Sequence, residues 1–291
     1  MTETTDKQLN LKWHALADEE IRQFDAEGYL IVRGVLDPPT ISKLLDAGDR
    51  LMASDRRENR QVSHSELYDS FRNCVAIDDG FVPLLTNEKI LSIVVQLLGA
   101  HLQLMTSHLI YKHPDPPGTS KNARSPGWHR DYGSATKVLG NGVPRILLKC
   151  GYYLTDLSEP NSGATLVSPG SNHLVERIEI PAGQTDPINF VEPRLKPGDC
   201  LLFENRTWHA GAANLTTRIR KGIMFGYGYR WVMPMDYRTQ SPDVLDKLSP
   251  LGRYLVSEPY QKTPEYRPGG GESPLADWCE QHGAPAVRPV S

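Results

Sequence analysis

The stretch that decides the fold lies at residues 196–231: KPGDCLLFENRTWHAGAANLTTRIRKGIMFGYGYRW. Lys196–Asp199 has the composition of a turn, and the apolar Cys200–Phe203 that of a short strand. A second turn around Asn214 separates this strand from a long one at Arg218–Trp231. Short strands divided by turns are typical of an antiparallel barrel or sandwich and not of βαβ units, so the stretch predicts a mainly β protein.

Alternation divides the long strand into two faces. One face carries Arg220, Gly222, Met224, Gly226 and Gly228, whereas the apolar and aromatic residues lie on the other. Interior glycines weaken a strand and often mark space for a ligand. A guanidinium in such a space is a two-pronged partner for a carboxylate, so the strand indicates an organic-acid site. Alternatively, Arg220 is a surface charge and the glycines only relieve the curvature of the barrel.

In the rest of the chain, the predicted helices lie mainly in the N-terminal part and most predicted strands follow them. We expect helices at 18–28, capped by Asp18 and stopped by Gly28, after Asp37, and at Asn87–Leu98. A strand should follow the first helix, and further strands are expected at 102–112, 145–155, 164–168, 175–180, 200–204 and 218–231. The predicted organisation is a single domain, 1–291, with mainly helices packed on a β core and a C-terminal extension. These parts are expected at 18–100, 102–232 and 233–291.

Composition excludes several classes of function. The 291 residues carry a net charge of −3 without a basic run, so neither nucleic acid nor a membrane surface is expected as a partner. The four cysteines lie far apart, which argues against a disulfide framework or thiolate zinc site. The polar N-terminus and the absence of a long apolar run favour a cytoplasmic enzyme or binding protein, monomeric or homodimeric.

A metal site is indicated by GWHRDYGS at residues 127–134. In an extended strand, His129 and Asp131 would point to the same side. A second His-x-Asp at 113–115 lies in HPDPP, where the prolines predict a loop. His209, at the far end of the decisive stretch, is the natural third ligand. Two histidines and one aspartate form the facial triad of non-haem iron(II), which leaves three coordination positions open.

Several motifs together resemble the phytanoyl-CoA dioxygenase family of iron(II)- and 2-oxoglutarate-dependent oxygenases over most of residues 18–232. They are FDAEGYLIVRGVL, ILSIVVQLLG, LIYKHPD, WHRDYGS, NSGATLVSPGSNH, KPGDCLLFENRTWHAG and RIRKGI. The resemblance implies a double-stranded β-helix, a jelly-roll or cupin-like barrel with flanking helices. It also implies that His129, Asp131 and His209 bind iron. Arg220 would bind the distal carboxylate of 2-oxoglutarate.

The resemblance also suggests further contacts to 2-oxoglutarate, at positions that vary among family members. Lys112 and Thr165 fall where family members often contact 2-oxoglutarate, although Lys112 is equally a strand-end charge and Thr165 an ordinary core residue. Many members carry a serine two residues after the distal histidine, where this chain has Gly211. The missing hydrogen bond must come from elsewhere, and Thr165 and Tyr153 are candidates.

The resemblance implies an enzyme that uses iron(II), 2-oxoglutarate and O2 to oxidise a C–H bond of a small molecule. Outcomes include hydroxylation, desaturation, cyclisation and epimerisation, whereas Asp131 argues against halogenation. We expect a secondary-metabolite substrate such as a polycyclic terpenoid or polyketide, with loop 113–127 and the C-terminal tail as lids. Two alternatives remain: a cupin-like metal-dependent isomerase without 2-oxoglutarate, and a non-catalytic, metal-stabilised binding module.

Other polar and aromatic residues have two interpretations. Trp128, Tyr132 and Trp208 flank the expected ligands and either line a pocket or pack inside the barrel. His108 is expected to be a hydrogen-bonded structural histidine, and His173, after PGSN, a turn residue.

Overall fold

A computed structural model describes residues 9–62, 67–132, 143–256 and 273–288. The end of the WHRDYGS motif and, in the C-terminal extension, residues 257–272 and 289–291 lie outside these residues. The strands are β1 (Tyr29–Val32), β2 (Arg60–Val62), β3 (Tyr68–Phe71), β4 (Leu102–Lys112), β5 (Leu147–Tyr153), β6 (Thr165–Val167), β7 (Cys200–Glu204), β8 (His209–Gly211) and β9 (Arg220–Tyr229). The helices are α1 (Asp18–Glu27), α2 (Pro38–Ala53), α3 (Cys74–Ile77), α4 (Val82–Leu85), α5 (Glu88–Leu98), α6 (Pro242–Leu245), α7 (Pro250–Leu255) and α8 (Pro274–Gln281).

The strands form two antiparallel sheets. The large sheet has the order β1-β7-β5-β9-β4-β3-β2, and the small sheet pairs β6 with β8. Isolated bridges at Val167–Val191 and His129–His209 extend the small sheet on both sides. The sheets are not closed into one hydrogen-bonded barrel, but the prediction of a mainly β fold with flanking helices is confirmed.

Strand predictions hold best where the sequence is most apolar. The strands predicted at 102–112 and 200–204 have the predicted bounds, and those at 145–155, 164–168 and 218–231 are shorter in the structure. The strand predicted at 175–180 is wrong: the segment pairs with no strand in the described part of the chain, and only Ile178 in it is buried. The short strands β2 and β3, the last two strands on one side of the large sheet, were missed within a region predicted as mainly helical.

Helix ends follow the capping chemistry of the sequence. The Asp37 carboxylate accepts a hydrogen bond from the Thr40 N–H at the start of α2, and Asn87 accepts one from the N–H of Ile90 in α5. For α1 the predicted cap is wrong by one residue. Ala17 is the N-cap, because the Glu20 carboxylate turns back to accept a hydrogen bond from its N–H at 2.8 Å.

The two faces of the large sheet have different partners. Its outer face, including Phe225 and Tyr227, packs in the main core with Leu91 of α5 and Trp278 of α8. Because Trp278 is buried, the described residues 273–288 of the C-terminal extension pack against this core. The inner face, including Phe203, contributes to a second, smaller core against the small sheet.

Two further sequence inferences concern cysteines and membrane spans. Cys74, Cys150, Cys200 and Cys279 are all buried and unbridged, as expected for small apolar residues. In the described residues no single helix is long and apolar enough to cross a membrane. Asp79–Leu85 and Glu88–Leu98 satisfy the length and composition criteria only as a pair, bent by 46°.

Gly28 provides a test of the packing between α1 and the β core. Its φ of +79° is left-handed, and an added Cβ would lie 2.3 Å from the Thr207 Oγ1. Gly34 has φ of +57° but nothing within 4 Å of such a Cβ. Gly34→Ala should therefore lower the free energy of unfolding by about 1 kcal/mol from backbone strain alone, and Gly28→Ala by about 2 kcal/mol or more. Urea denaturation measures both, and equal losses would contradict the contact with Thr207.

Candidate active site

Two distant segments are joined at His129 and His209. The residues form an isolated antiparallel bridge in which each backbone N–H donates to the other carbonyl at 2.9 Å. Directly opposite residues in such a pair have neighbouring side chains, and the two imidazole centroids are 4.2 Å apart. Asp131 follows in a turn and not in a continuous strand, but its carboxylate reaches the same point. One ligand atom from each residue lies within 4.8 Å of the others, so the three could hold a metal ion.

Hydrogen bonds orient both imidazoles. Nδ1 of His129 lies 2.8 Å from the Gly127 carbonyl, and Nδ1 of His209 lies 2.9 Å from the Thr207 carbonyl. A carbonyl oxygen can only accept, so each Nδ1 carries the proton and each Nε2 keeps its lone pair for a metal. Burial lowers the pKa of His209 to about 4, which keeps this imidazole neutral at neutral pH.

The third member of the cluster is held as an anion. Burial alone would raise the pKa of Asp131, but the nearby positive groups, Lys149 above all, bring it below its ordinary value. The Lys149 ammonium lies 3.7 Å from Asp131 Oδ2, too far for a hydrogen bond. Oδ2 is buried and has no hydrogen-bond partner among the described residues. A carboxylate with a free oxygen and two free imidazole nitrogens suits a divalent metal such as iron(II).

The three residues line a cavity of about 450 Å³ between the two sheets. Three cationic side chains reach it: Arg220, Lys149 and Arg72. Asp131 is the one carboxylate among the described residues of the lining. The other described lining residues are Gln61, Val62, Tyr68, Ser70, His108, Ile110, Ser125, Pro126, His129, Thr165, Phe203, His209, Ala210, Gly211 and Met224.

Arg220 is a buried residue of the cavity wall and not a surface charge, with 4% exposure. Its Nε donates to the Gly163 carbonyl at 3.0 Å, whereas Nη1 is buried without a partner among the described residues. A Cβ at Gly222 would lie 3.4 Å from Nη1, so this glycine gives the guanidinium room to fold along the strand. A buried, half-satisfied guanidinium is costly without an anion, which fits the carboxylate of an organic acid.

A second donor lies near this guanidinium. The Tyr153 hydroxyl and the Thr165 Oγ1 are 2.8 Å apart, and the Tyr153 ring lies beneath the Arg220 guanidinium at 5.7 Å. When Tyr153 donates to Thr165, the Thr165 hydroxyl proton is free to point into the cavity. The Arg220 end of the cavity therefore offers both a cation and a neutral donor.

A serine at position 211 has no room here. A Cβ on Gly211 would lie 2.0 Å from the Ser125 carbonyl oxygen, a backbone atom. The segment at Ser125 is fixed by the hydrogen bond of its N–H to the Gly211 carbonyl at 3.0 Å, and its carbonyl accepts from the Tyr68 hydroxyl. The end of loop 113–127 thus occupies the space in which a serine side chain would lie.

Lys112 lies beside Arg220 on the neighbouring strand but is not part of the described cavity lining. Its ammonium donates to the Ala212 carbonyl at 2.5 Å and lies 3.8 Å from Asp115. Asp115 also accepts from the Asn214 N–H, so the second His-x-Asp copy is used in loop packing and not in the metal cluster.

The three aromatic residues that flank the ligands in sequence are outside the described lining of the cavity. Trp128 donates from Nε1 to Asp186, and Tyr132 and Trp208 are likewise absent from the described lining. His173 ends a 3-10 turn, as predicted, and contacts the Asp25 carbonyl.

Three polar residues of the lining were missed or misassigned from sequence. His108 was expected to be hydrogen-bonded, but its Nε2 is buried without a partner among the described residues. Lys149 interrupts an otherwise apolar strand, which is a usable signal that was overlooked. Arg72 follows the unpredicted strand β3, and nothing in its local sequence marks it.

Fold and site together define a class: antiparallel β proteins with a metal-binding His-Asp-His cluster between two sheets. A family model described as Phytanoyl-CoA dioxygenase (PhyH) matches residues 24–222. The chain therefore belongs to the phytanoyl-CoA dioxygenase family, and it is an enzyme of the dioxygenase class.

Individual relatives agree with this assignment. The chain is 24% identical to ectoine dioxygenase of Nocardia farcinica over 72% of this chain and 77% of that protein. It is 25% identical to dioxygenase ALT11 of Alternaria alternata over 78% and 76%. Among solved structures, the non-heme alpha ketoglutarate dependent epimerase SnoN from nogalamycin biosynthesis superposes with a TM-score of 0.60 at 21% identity, covering 88% and 94%. EctD from S. alaskensis with bound Fe gives 0.60 at 20% identity, covering 78% and 82%.

The buried Lys112 ammonium makes folding sensitive to alkaline pH. Burial lowers its pKa to about 8, against the attraction of Asp115. Between this value and the unfolded pKa near 10.4, the unfolded chain binds more protons, so the folded state gains relative stability as pH rises. Between pH 7.5 and 10, urea unfolding should show the wild type gaining about 2 kcal/mol relative to Lys112→Met. Parallel pH profiles for the two proteins would contradict the perturbed lysine.

Proposed function

We propose that this protein is an iron(II)- and 2-oxoglutarate-dependent dioxygenase that oxidises a C–H bond of a small molecule. The observation that carries the proposal is one cavity with a His-Asp-His cluster on its wall and an unsatisfied guanidinium, Arg220, further along it. Overall, 2-oxoglutarate, O2 and R–H would give succinate, CO2 and R–OH when the outcome is hydroxylation. Iron(II), when bound, supplies the one-electron chemistry that activates O2.

In this proposal the protein presents three metal ligands already in their binding form. The backbone carbonyls at 127 and 207 fix the imidazole tautomers, and burial keeps His209 unprotonated. The nearby Lys149 ammonium keeps Asp131 ionised. With an aspartate as the third ligand, no coordination position is left for a halide in its place, so we favour oxygenation or a related radical reaction over halogenation.

Arg220 and Thr165 are proposed to bind the far carboxylate of 2-oxoglutarate. Arg220 contributes its free Nη1, and Thr165 contributes a hydroxyl proton released by the contact with Tyr153. This pair replaces the serine that Gly211 cannot provide. Lys112 stays a prediction as a cosubstrate ligand, because its contacts to Ala212 and Asp115 support a role in holding this end of the cavity.

A secondary-metabolite substrate is part of the proposal. Its support is the likeness to SnoN and to the carbocyclase SnoK, both described as enzymes of nogalamycin biosynthesis. One is named as an epimerase and the other as a carbocyclase, so hydroxylation, cyclisation, epimerisation and desaturation all stay outcomes for this chain. Cytoplasmic location and the monomeric or homodimeric state stay predictions.

The cofactor assignment is tested by anaerobic titration of the protein with iron(II) and then 2-oxoglutarate. A weak visible charge-transfer band should form in the wild type and be lost in His129→Ala. Arg220→Ala should keep iron binding but raise the dissociation constant of 2-oxoglutarate about 100-fold, because a charge-assisted interaction is lost in a buried site. The matched control is Lys221→Ala, on the same strand but facing Asp49 outside the cavity.

The same titration separates the alternatives. A metal-dependent isomerase would bind iron without responding to 2-oxoglutarate or to Arg220→Ala, and a binding module would develop no band at all. Carbon dioxide release from labelled 2-oxoglutarate across a panel of metabolites then identifies the substrate class. Turnover of a free amino acid, with none on polycyclic compounds, would contradict the secondary-metabolite proposal.

Substitution of Thr165 tests whether its hydroxyl donates a hydrogen bond to 2-oxoglutarate or whether the side chain only fills the core. Thr165→Val keeps the shape but removes the hydroxyl, so the dissociation constant of 2-oxoglutarate should rise about tenfold. Tyr153→Phe should give a smaller increase, because Thr165 keeps its own proton. Calorimetric titration with Zn(II) in place of iron measures both constants without turnover. Unchanged binding in Thr165→Val would show that Thr165 only fills the core.

A further inference from the structure

The part of the cavity away from Arg220 carries polar groups that the proposed cosubstrate does not use. Lys149 is buried, and its ammonium makes no hydrogen bond among the described residues; its one ion pair there is with Asp131. Nε2 of His108 is buried on the same wall without a partner. Arg72 lines the cavity as well, held by a 3.3 Å hydrogen bond to Thr106 and a 3.5 Å ion pair with Asp236.

The strand register places these groups far from Arg220. Lys149 is paired with Gly226 on β9, six residues beyond Arg220 on the same strand. At about 3.3 Å per residue, this is about 20 Å of extended chain between the two backbone positions. The Lys149 ammonium lies 3.7 Å from Asp131 Oδ2, so it belongs to the metal end of the cavity and not to the end at which Arg220 would bind the far carboxylate of 2-oxoglutarate. Gly226 is also part of the arrangement, since a Cβ there would contact Lys149 Cδ at 3.6 Å and Thr106 at 2.8 Å.

The charges of the cavity do not balance without a further anion. Arg220, Lys149 and Arg72 are positive, whereas Asp131 and the Asp236 partner of Arg72 are negative. Iron(II) and the 2-oxoglutarate dianion cancel each other, so one positive charge remains in a largely buried space. An unpaired buried charge is costly, and a single negative group on the substrate would compensate it.

We propose that Lys149 and Arg72, with His108 beside them, bind a carboxylate on the substrate. This inference rests on the proposed function and adds the substrate class: a small molecule with one carboxylate. The carboxylate accepts from the Lys149 ammonium and from Nη2 of Arg72, because Nε and Nη1 already donate to Gln61 and Thr106 and Nη2 makes no hydrogen bond among the described residues. His108, kept neutral by burial, contributes Nε2 as a further polar contact. Anchored there, the substrate would place its carbon skeleton beside the metal cluster.

A competing role for Lys149 is to position Asp131 for the metal. The two roles predict opposite changes on removal of the ammonium. If Lys149 positions Asp131, Lys149→Met should weaken metal binding and leave substrate preference unchanged. If Lys149 binds the substrate, the variant loses its carboxylate preference. A bound divalent cation would itself keep Asp131 ionised in place of Lys149, and the loss of a positive charge near the cation site means that metal affinity should hold or rise.

The experiment uses protein loaded with Zn(II) and 2-oxoglutarate, which binds without turnover, and measures probe binding by calorimetry. The probes are 1-naphthoate, its neutral isostere 1-naphthamide, and 1-naphthyl phosphate. Wild type should bind the carboxylate at least tenfold more tightly than the amide, and Lys149→Met and Arg72→Gln should each lose most of this preference. Lys221→Met, on the outer face of β9, is the matched control and should keep it.

Each other outcome overturns the proposal. Equal binding of naphthoate and naphthamide, no binding of naphthoate, or a preference that persists in Lys149→Met would show that this end of the cavity does not select carboxylates. Tighter binding of naphthyl phosphate would assign the site to a phosphate instead. The titrations of Zn(II) and of 2-oxoglutarate in the same samples keep the two proposals apart. If the wild-type protein binds no Zn(II) or no 2-oxoglutarate, the proposed function is wrong. If it binds both but does not distinguish naphthoate from naphthamide, only the proposed substrate class is wrong.

Discussion

The pair of backbone hydrogen bonds between residues 129 and 209 is the interaction on which the site depends. It joins two segments 80 positions apart and places two imidazoles side by side without help from a continuous strand. Each ring is then fixed by the carbonyl two residues before it, so one short backbone pattern, used twice, sets position and tautomer together. The two imidazoles are therefore oriented by backbone atoms, whereas Asp131 has a side chain, Lys149, as its charged neighbour.

Because side chains alternate along its strands, the large sheet has one face that packs in the core and one face that lines the cavity. On β9, Phe225 and Tyr227 pack against the helices, whereas Arg220 and Met224 face the cavity. The glycines on the inner face of β9 have different close neighbours at different positions. A Cβ at Gly222 would lie 3.4 Å from Nη1 of Arg220, and a Cβ at Gly226 would lie 2.8 Å from Cγ2 of Thr106. Gly222 therefore lies against the Arg220 guanidinium, and Gly226 against the neighbouring strand β4.

The sequence predicted those parts of the fold whose signal is local. Alternation identified both faces of β9, and capping residues located α2 and α5 to within a residue. The metal cluster was predictable because its ligands come with a recognisable spacing and order. The segment at 175–180 has strand-like composition but no partner strand, and no local pattern reveals the absence of a partner. In the same way, Arg72 enters the site through β3, whose short polar sequence becomes a strand only because it pairs with β4.

Three of the eight buried side-chain polar atoms that lack a partner among the described residues belong to one cavity. They are Nη1 of Arg220, Oδ2 of Asp131 and Nε2 of His108, whereas the other five belong to residues outside its described lining. Each such atom costs about 1–3 kcal/mol, and ligands in the cavity would restore the lost contact for these three. Metal, cosubstrate and substrate would each satisfy one of the three atoms. The free protein should therefore be markedly less stable than its loaded form, and each ligand should raise its melting temperature in turn.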